Sequence, residues 1–280
     1  MMVQDAPDGE PRFITTMLEH NGFCAQFARA FGNERFQRPE PFDEVVFVVG
    51  NHDRGWDEWD GNPAIDAKTR LPCGLTNTPI LASLNTGRRS PDFNEKHHPY
   101  CGLLSSMHSW GLYNARYGYS AFRVRPGGSL SVPVLPEFAS ETKAMLEGEL
   151  KRQERLKTQL RADPKTNAWV EEKHLMQNYK QLQFFDTLSL YFHLRHPSAR
   201  KEERFVHVPI DAETDADVVL RPLGCDTYSL SPFPFAGDRL EARCPGRYLS
   251  PIPAGAEPSD VGALLRSLPV TEQVFTFVSN

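Results

Sequence analysis

The feature that most constrains the fold is the pair His52-Asp53, which follows the apolar run Val45–Val49 after only two residues. Burying an imidazole or a carboxylate alone is costly, so a core that takes in this stretch must satisfy both side chains. A divalent metal ion does so, because imidazole nitrogen suits transition metals and the carboxylate adds an oxygen ligand and neutralising charge. The pair therefore predicts a metal site, provided that the chain supplies further ligands.

An earlier histidine lies on a predicted helix. Between residues 15 and 31, apolar side chains recur at helical spacing, and His20 lies on their face. The Val45–Val49 run fits a strand, because valine is β-branched, or a helix with His52 on the same face as the valines. We predict a helix.

Two later helices carry further candidates. The pattern of residues 97–118 places His108 between leucines on an apolar face, and the longer pattern of residues 169–195 places Asp186 among apolar residues. Residues 140–161 have only a thin apolar stripe, which predicts a charged surface helix.

The remaining segments show weaker patterns. No period is visible from Gly55 to Pro91, which predicts a long functional loop or an element hidden by its polar composition. From Arg204 onward, short alternating runs separated by Gly, Pro and Asp predict an antiparallel sheet or a set of hairpins.

Composition excludes several classes of protein. The net charge of −5 gives no general attraction to nucleic acid or to an anionic membrane. No window approaches a membrane span of ~18–20 apolar residues, and the first ten residues lack the basic and apolar parts of a signal peptide, so we expect a cytoplasmic protein. The five cysteines include no C-x-x-C pair and are interpreted as reduced thiols, with Cys24 inert on its apolar helical face.

Four of the polar residues are hard to bury separately. A single buried histidine is more often a satisfied core residue than a ligand, and a single buried aspartate usually caps a helix or pairs with a cation. On separate helices, His20, His52, Asp53 and Asp186 would each need a buried partner. One metal ion satisfies all four.

The order H…HD…D resembles the HD superfamily of metal-dependent enzymes, which includes cyclic-nucleotide phosphodiesterases, nucleotidases and the diiron oxygenases typified by myo-inositol oxygenase. The finer pattern HDxGWxxWDxxP, followed by HPYxxLLxxxH and DxLSLY, resembles an uncharacterised bacterial HD-like family. The resemblance covers roughly residues 14–196 and, weakly, the C-terminal strands.

The resemblance implies that His20, His52, Asp53 and Asp186 are metal ligands, with Asp53 able to bridge two ions. Members with two metals add two histidines, for which the candidates are His108 and one of the neighbours His97 and His98. On one continuous helix His98 and His108 would stand about 15 Å apart, too far to share an ion, unless the chain is not helical around His98.

Further roles follow for residues around the HD pair. Candidate catalytic residues are Asp53, His108 and Asp57, and candidate substrate-binding residues are Arg54, Trp56, Trp59, Asp60, Lys96 and His97. Arg54 could neutralise a phosphate or carboxylate. The tryptophans fit equally a structural turn and a pocket wall. His174, His193, His196 and His207 are interpreted as structural or solvent-facing.

The expected function is a metal-dependent hydrolase of a phosphoester or similar small anion. The alternative is a nonheme diiron oxygenase, and a non-catalytic module that keeps the HD ligands ranks lowest. The expected cofactor is one or two divalent transition metal ions, Fe, Mn, Co or Zn, since His and carboxylate ligands suit all four. No nucleic-acid or membrane partner is expected, and a homodimer is left open.

The expected fold class is mainly α, an HD-domain-like helical bundle with a small C-terminal antiparallel β subdomain. The expected organisation is a flexible arm at residues 1–12, a helical metal-binding domain at residues 13–200, and a β-rich subdomain at residues 201–280 packed on it.

Overall fold

A computed structural model describes residues 1–114 and 132–279. Its helices are α1 (Met17–Ala30), α2 (Phe42–Val49), α3 (Asp57–Gly61), α4 (Ile80–His97), α5 (Pro99–Gly111), α6 (Ala139–Arg161), α7 (Glu172–Leu194) and α8 (Val261–Ser267). Its strands are β1 (Met2–Val3), β2 (Arg12–Thr15), β3 (Glu203–Pro209), β4 (Asp215–Gly224), β5 (Thr227–Ser231), β6 (Arg239–Leu249) and β7 (Thr271–Ser279).

The first helix begins at a capping box. The Thr16 side chain accepts a hydrogen bond from the backbone N–H of Glu19, and the Glu19 carboxylate accepts one from the backbone N–H of Thr16. These reciprocal bonds satisfy backbone donors that a helix start leaves unpaired. The predicted helix is confirmed, and His20 is fully buried on it.

The helix predicted for the valine run is also confirmed. It begins after Pro41, carries Asp43 and Glu44 in its first turn, and ends at Val49. His52 and Asp53 therefore lie in the turn that follows, residues 50–53, which we call the HD turn. A 3-10 helix at Arg54–Trp56 continues from it.

The Gly55–Pro91 stretch contains a long helix that periodicity did not predict. Helix α4 includes Pro91 in its interior and few large apolar residues. It packs so closely against the 3-10 helix that a Cβ on Gly55 would lie 2.2 Å from the Thr86 carbonyl oxygen. Packing, rather than local propensity, therefore stabilises this helix.

Contacts from α4 and α5 hold the HD turn in place. Asn94 donates to the Asn51 carbonyl at 2.8 Å, and the Ser90 hydroxyl accepts from the Gly55 N–H at 2.9 Å. Ser105 donates to the His52 carbonyl at 3.5 Å. The turn is thus fixed on its backbone, which leaves its side chains available for chemistry.

Helix α5 is almost entirely buried and starts later than predicted. Pro99 occupies its first turn, His98 precedes it in an extended conformation, and the helix ends at Gly111. The end of the predicted helix, residues 115–118, lies outside the described residues. The charged helix α6 and the buried helix α7 match their predicted positions.

The strands form one curled, seven-stranded sheet in the order β1-β2-β6-β7-β5-β4-β3. Neighbouring strands are antiparallel except β5 and β7, which are parallel. Phe23 and Phe27 of α1 pack on Phe275 and Phe277 of β7, and Phe192 of α7 contacts both strand residues. Sheet and helices therefore share one aromatic core.

The predicted fold class, a mainly α bundle with a small β subdomain, is wrong. Of the described residues, 47% are helical and 20% lie in strands, and the sheet is a major layer of the molecule. The prediction failed because short amphipathic strands give weak signals and because strand partners are distant in sequence. β2, for example, pairs with β6.

The first residues contribute to this sheet rather than forming the expected arm. β1 pairs with β2, and the side chains of Met1 and Met2 are buried. The sheet thus joins residues before α1 to residues after 200, across the predicted domain boundaries. Among the described residues, no helix has the length and apolar composition that a membrane crossing requires.

Candidate metal centre

The fold brings the four predicted ligands together between α1, the HD turn and α7. The His20 Nε2 atom lies 3.4 Å from the Asp186 Oδ1 atom, and His52 Nε2 lies 3.9 Å from the same oxygen. His52 Nε2 lies 3.7 Å from Asp53 Oδ2. Both histidines and Asp186 are buried, whereas the Asp53 side chain is 14% exposed.

His52 is oriented as a metal ligand would be. Its Nδ1 lies 2.8 Å from the Val49 carbonyl oxygen, so Nδ1 carries the hydrogen and donates it. In the neutral ring, Nε2 then bears the lone pair; it faces Asp53 and Asp186 and has no hydrogen-bond partner among the described residues. A buried nitrogen without a partner is costly, and a bound cation would satisfy it.

These three separations are compatible with pairs of ligands on one ion. With metal–ligand bonds of ~2.0–2.2 Å, two ligands of one ion lie roughly 3–4 Å apart for bond angles between 90° and tetrahedral or wider. The separations of 3.4, 3.7 and 3.9 Å fall in this range. Two imidazoles and two carboxylates suit Zn, Fe, Mn or Co.

His108 joins the cluster on the Asp53 side. Its Nε2 lies 3.9 Å from Asp53 Oδ1, and its ring centroid lies 4.9 Å from that of His52. Atoms of His52, Asp53 and His108 that can bind a metal lie within 4.8 Å of one another. Asp53 therefore stands between two histidines.

The charges of the cluster are strongly coupled. Burial alone lowers the pKa of His52, but the carboxylates of Asp53 and Asp186 raise it to about 8. Burial raises the pKa of Asp53, although the neighbouring His52 lowers it in part. Without a metal, a proton on His52 thus supplies the positive charge that the two carboxylates require.

On the other side of the cluster, His20 contacts a chain of polar residues. Its Nδ1 lies 3.0 Å from the Ser189 hydroxyl and 3.0 Å from His193 Nδ1, and His193 Nε2 lies 2.9 Å from Cys244 Sγ. Burial, followed by the charges of His20 and Arg200, lowers the pKa of His193 well below its ordinary value. A neutral His193 can accept a hydrogen from His20 Nδ1, which leaves His20 Nε2 to face Asp186.

Cys24 also borders the site. Its Sγ lies 3.6 Å from His20 Nε2, and the thiol is fully buried. Burial, followed by the charge of Asp186, raises its pKa well above the ordinary value.

Three predicted residues lie elsewhere. His98 accepts a hydrogen bond from the Tyr100 N–H and lies against Trp169, at the opposite end of α5 from His108. His97 stacks on Phe47 with ring centroids 3.5 Å apart, and Lys96 is exposed. The extended backbone at His98 does not bring its ring to the cluster, because His108 lies ten positions further along α5, a rise of about 15 Å.

The residues that follow the HD pair serve different purposes. Arg54 pairs with Asp57 at 2.8 Å, and its guanidinium lies over the Phe93 ring. Asp60 accepts from the Met17 N–H at 2.6 Å, which makes it a support for the start of α1 rather than a group facing the cluster.

The two tryptophans contribute mainly to packing. Trp56 is buried in the main hydrophobic core, and Trp59, which is partly buried, packs against that core. The Trp59 Nε1 atom is buried without a hydrogen-bond partner among the described residues.

Ser189, His193, Cys24 and Cys244 are the site neighbours that the sequence reasoning missed. Two signals were present: Cys24 follows His20 by four residues, and Ser189 and His193 follow Asp186 by three and seven, which is one helical face. No such signal exists for Cys244, since only the tertiary structure brings this residue of β6 into contact with His193 of α7.

The comparisons with known proteins place the chain in one family. The family model described as "Protein of unknown function (DUF3891)" matches residues 1–251, and the chain belongs to this family. No curated protein matches the chain, and no solved structure does.

Proposed function

We propose that the protein is a metal-dependent hydrolase that acts on a phosphoester or a similar small anion. The observation that carries the proposal is the buried His52 Nε2, which faces two carboxylates and has no hydrogen-bond partner among the described residues. The resemblance of H…HD…D to the HD superfamily supports a hydrolase.

His20, His52, Asp53 and Asp186 would hold the ion. When bound, a divalent ion of this kind lowers the pKa of a coordinated water and polarises a substrate oxygen. Val49 and Ser189 hold the two imidazoles in position through their second ring nitrogens. Such outer contacts keep ligand geometry fixed, which the proposed chemistry requires.

His108 and Asp53 are the groups proposed to move protons. His108 Nε2 lies within 3.9 Å of the Asp53 carboxylate, so a proton at either atom is close to the same reacting centre. Burial raises the pKa of Asp53 above its ordinary value, so the carboxylate takes up a proton more readily, as a general base must. Asp57, paired with Arg54, is not placed in this role.

Arg54 is the proposed anion contact. It follows Asp53 directly, and its side chain is 28% exposed while it pairs with Asp57, which is 43% exposed. A substrate phosphate or carboxylate could take the place of the Asp57 carboxylate on the guanidinium.

The diiron oxygenase remains a second candidate on one observation. Asp53 stands 3.7 Å from His52 Nε2 and 3.9 Å from His108 Nε2, through different carboxylate oxygens, as a bridge between two ions would. His98 lies away from the cluster, so a second ion would have fewer histidine ligands. This favours the hydrolase.

Metal analysis combined with turnover tests the proposal. The protein purified from medium supplemented with Zn, Fe, Mn and Co is expected to contain one ion per chain and to hydrolyse members of a panel of phosphomonoesters and phosphodiesters. His52→Ala should lose both the ion and the activity. His207→Ala is the matched control, because His207 is exposed and pairs with Asp215 in the β3–β4 region.

The outcomes separate the candidates. Two irons per chain with dioxygen consumption and no phosphate release would favour the oxygenase. A wild-type protein that retains no ion after incubation with each metal would overturn the metal-dependent reading.

A further inference from the structure

Cys24 lies against the cluster, next to His20 and in one group with His52, rather than in a part of the core remote from it. It follows His20 by one helical turn on α1 and is fully buried. Its Sγ lies 3.6 Å from His20 Nε2 and 3.9 Å from Nδ1, and is thus nearer the nitrogen that faces Asp186. Atoms of His20, Cys24 and His52 that can bind a metal lie within 4.8 Å of one another.

The separation fits two ligands of one ion. Thiolate–zinc bonds of ~2.3 Å and imidazole–zinc bonds of ~2.0–2.1 Å at a tetrahedral angle place sulfur and nitrogen about 3.5 Å apart. The Cys24–His20 separation of 3.6 Å agrees with this value, as does the His20–Asp186 separation of 3.4 Å with two shorter bonds.

Two other buried thiols differ in their surroundings. The Cys101 thiol donates to the Glu44 carbonyl, and Cys244 contacts His193 and Thr15. The polar neighbours of Cys24 include His20 and Ser189, and His52, whose buried Nε2 has no hydrogen-bond partner among the described residues, lies in the same group. This unpartnered nitrogen is independent support for an ion beside the thiol.

We propose that Cys24 is a thiolate ligand of the metal and that His20, Cys24, His52 and Asp186 form its main ligand set. The inference rests on the proposed metal-dependent function and goes beyond the ligands that the HD resemblance implies. On binding, the thiol proton leaves to solvent as the sulfur–metal bond forms. A thiolate selects Zn, Co or Fe over the harder Mg and Mn.

This assignment also leaves Asp53 and His108 together on the more exposed side. Asp53 has the highest side-chain exposure of these three cluster residues, at 14%, against 4% for Asp186 and 3% for His108. Three ligands from α1 and α7 and one from the HD turn would hold the ion, while Asp53 and His108 face the substrate.

Cobalt titration of the metal-free protein tests the assignment. A thiolate ligand produces an intense sulfur-to-cobalt charge-transfer band in the near ultraviolet, which nitrogen and oxygen ligands do not. Cys24→Ser should abolish the band and weaken cobalt binding by more than about tenfold, because even outer partners of a ligand contribute ~10–100-fold. Cys101→Ser, the same change at a buried thiol outside the cluster, should retain the band.

X-ray absorption on the zinc-loaded wild-type protein gives the same answer without a variant, should Cys24→Ser fail to fold. One sulfur neighbour at ~2.3 Å supports the proposal. Bound metal with nitrogen and oxygen neighbours alone, or a band lost in Cys244→Ser instead, overturns the role of Cys24 and leaves the proposed function standing. A wild-type protein that binds neither metal overturns both.

Discussion

The two ends of the buried cluster differ in what surrounds them. At the closed end, which comprises His20, Ser189, His193 and Cys244, every member is buried and contacts another member. At the open end, which comprises Asp53, Arg54, Asp57 and His108, the side chains of Asp53, Arg54 and Asp57 are partly exposed, whereas His108 is buried beside Asp53. Under the proposed function, contacts at the closed end would hold the ligands in position, and groups at the open end would contact the substrate.

Substitution of one histidine from each end should separate binding from turnover. His20→Ala is expected to abolish stoichiometric metal binding, because it removes a ligand. His108→Gln should retain the metal and lower turnover by roughly 10²–10⁴-fold, as expected for loss of a proton-transfer group. Elemental analysis and steady-state kinetics on both variants measure this, and loss of the ion from His108→Gln would instead place His108 among the ligands.

His193→Phe should show how much the closed end contributes to metal affinity, because His193 is not itself a proposed ligand. The aromatic ring fills a similar volume but cannot accept a hydrogen from His20, so metal affinity should fall by ~10–100-fold. Competition with a chelator of known affinity measures the change. His196→Phe is the control, since His196 bonds with Ser198 on the surface. An unchanged metal affinity would mean that the contacts of His193 contribute to packing only.

His52, between the two ends, and His193, at the closed end, should also give the metal-free protein opposite responses to pH. The pKa of His52 is raised from 6.5 to about 8, so its contribution, about 2 kcal/mol, is full below pH 6.5 and is lost as the pH rises through 8. The pKa of His193 is depressed, so stability is lost as the pH falls below 6.5. Stability should therefore be highest near pH 6.5.

Urea unfolding of the metal-free protein at several pH values tests this. His52→Ala should flatten the alkaline side of the stability profile and His193→Phe should reduce the slope on the acid side. A wild-type protein whose stability rises steadily from pH 6.5 to 9 would contradict the assignment for His52.

The smallest effect is expected at the outermost residue of the open end. Arg54→Gln removes a partly exposed cation, so KM for an anionic substrate should rise a few-fold, about 0.5–1 kcal/mol, with kcat unchanged. Arg204→Gln provides the comparison, because Arg204 forms an exposed pair with Asp217 in the β3–β4 region. A fall in kcat with KM unchanged would mean that Arg54 acts in the reaction step.

Periodicity predicted the helices that carry the candidate ligands well. α1 and α7 have strong apolar faces on which His20 and Asp186 stand out, and the HD turn follows a valine run too apolar to be exposed. Helix α4 was not predicted, because Pro91 and the many polar residues of this segment give it no apolar period. Packing against the HD turn stabilises it. The sheet was underestimated, because β1 and β2 are short and pair with distant residues.

His52-Asp53 illustrates what the sequence by itself determined: a histidine and a carboxylate after an apolar helix, with His20 and Asp186 on two other apolar faces, define the candidate ligands through local periodicity alone. Only the tertiary structure decided the surroundings of that set. It brought Cys24 and His193 into contact with His20, and Cys244 into contact with His193. It also kept His98 at the far end of α5 from His108. The reason is physical: periodicity reports which face of an element is buried, whereas partners across a core depend on how the elements pack.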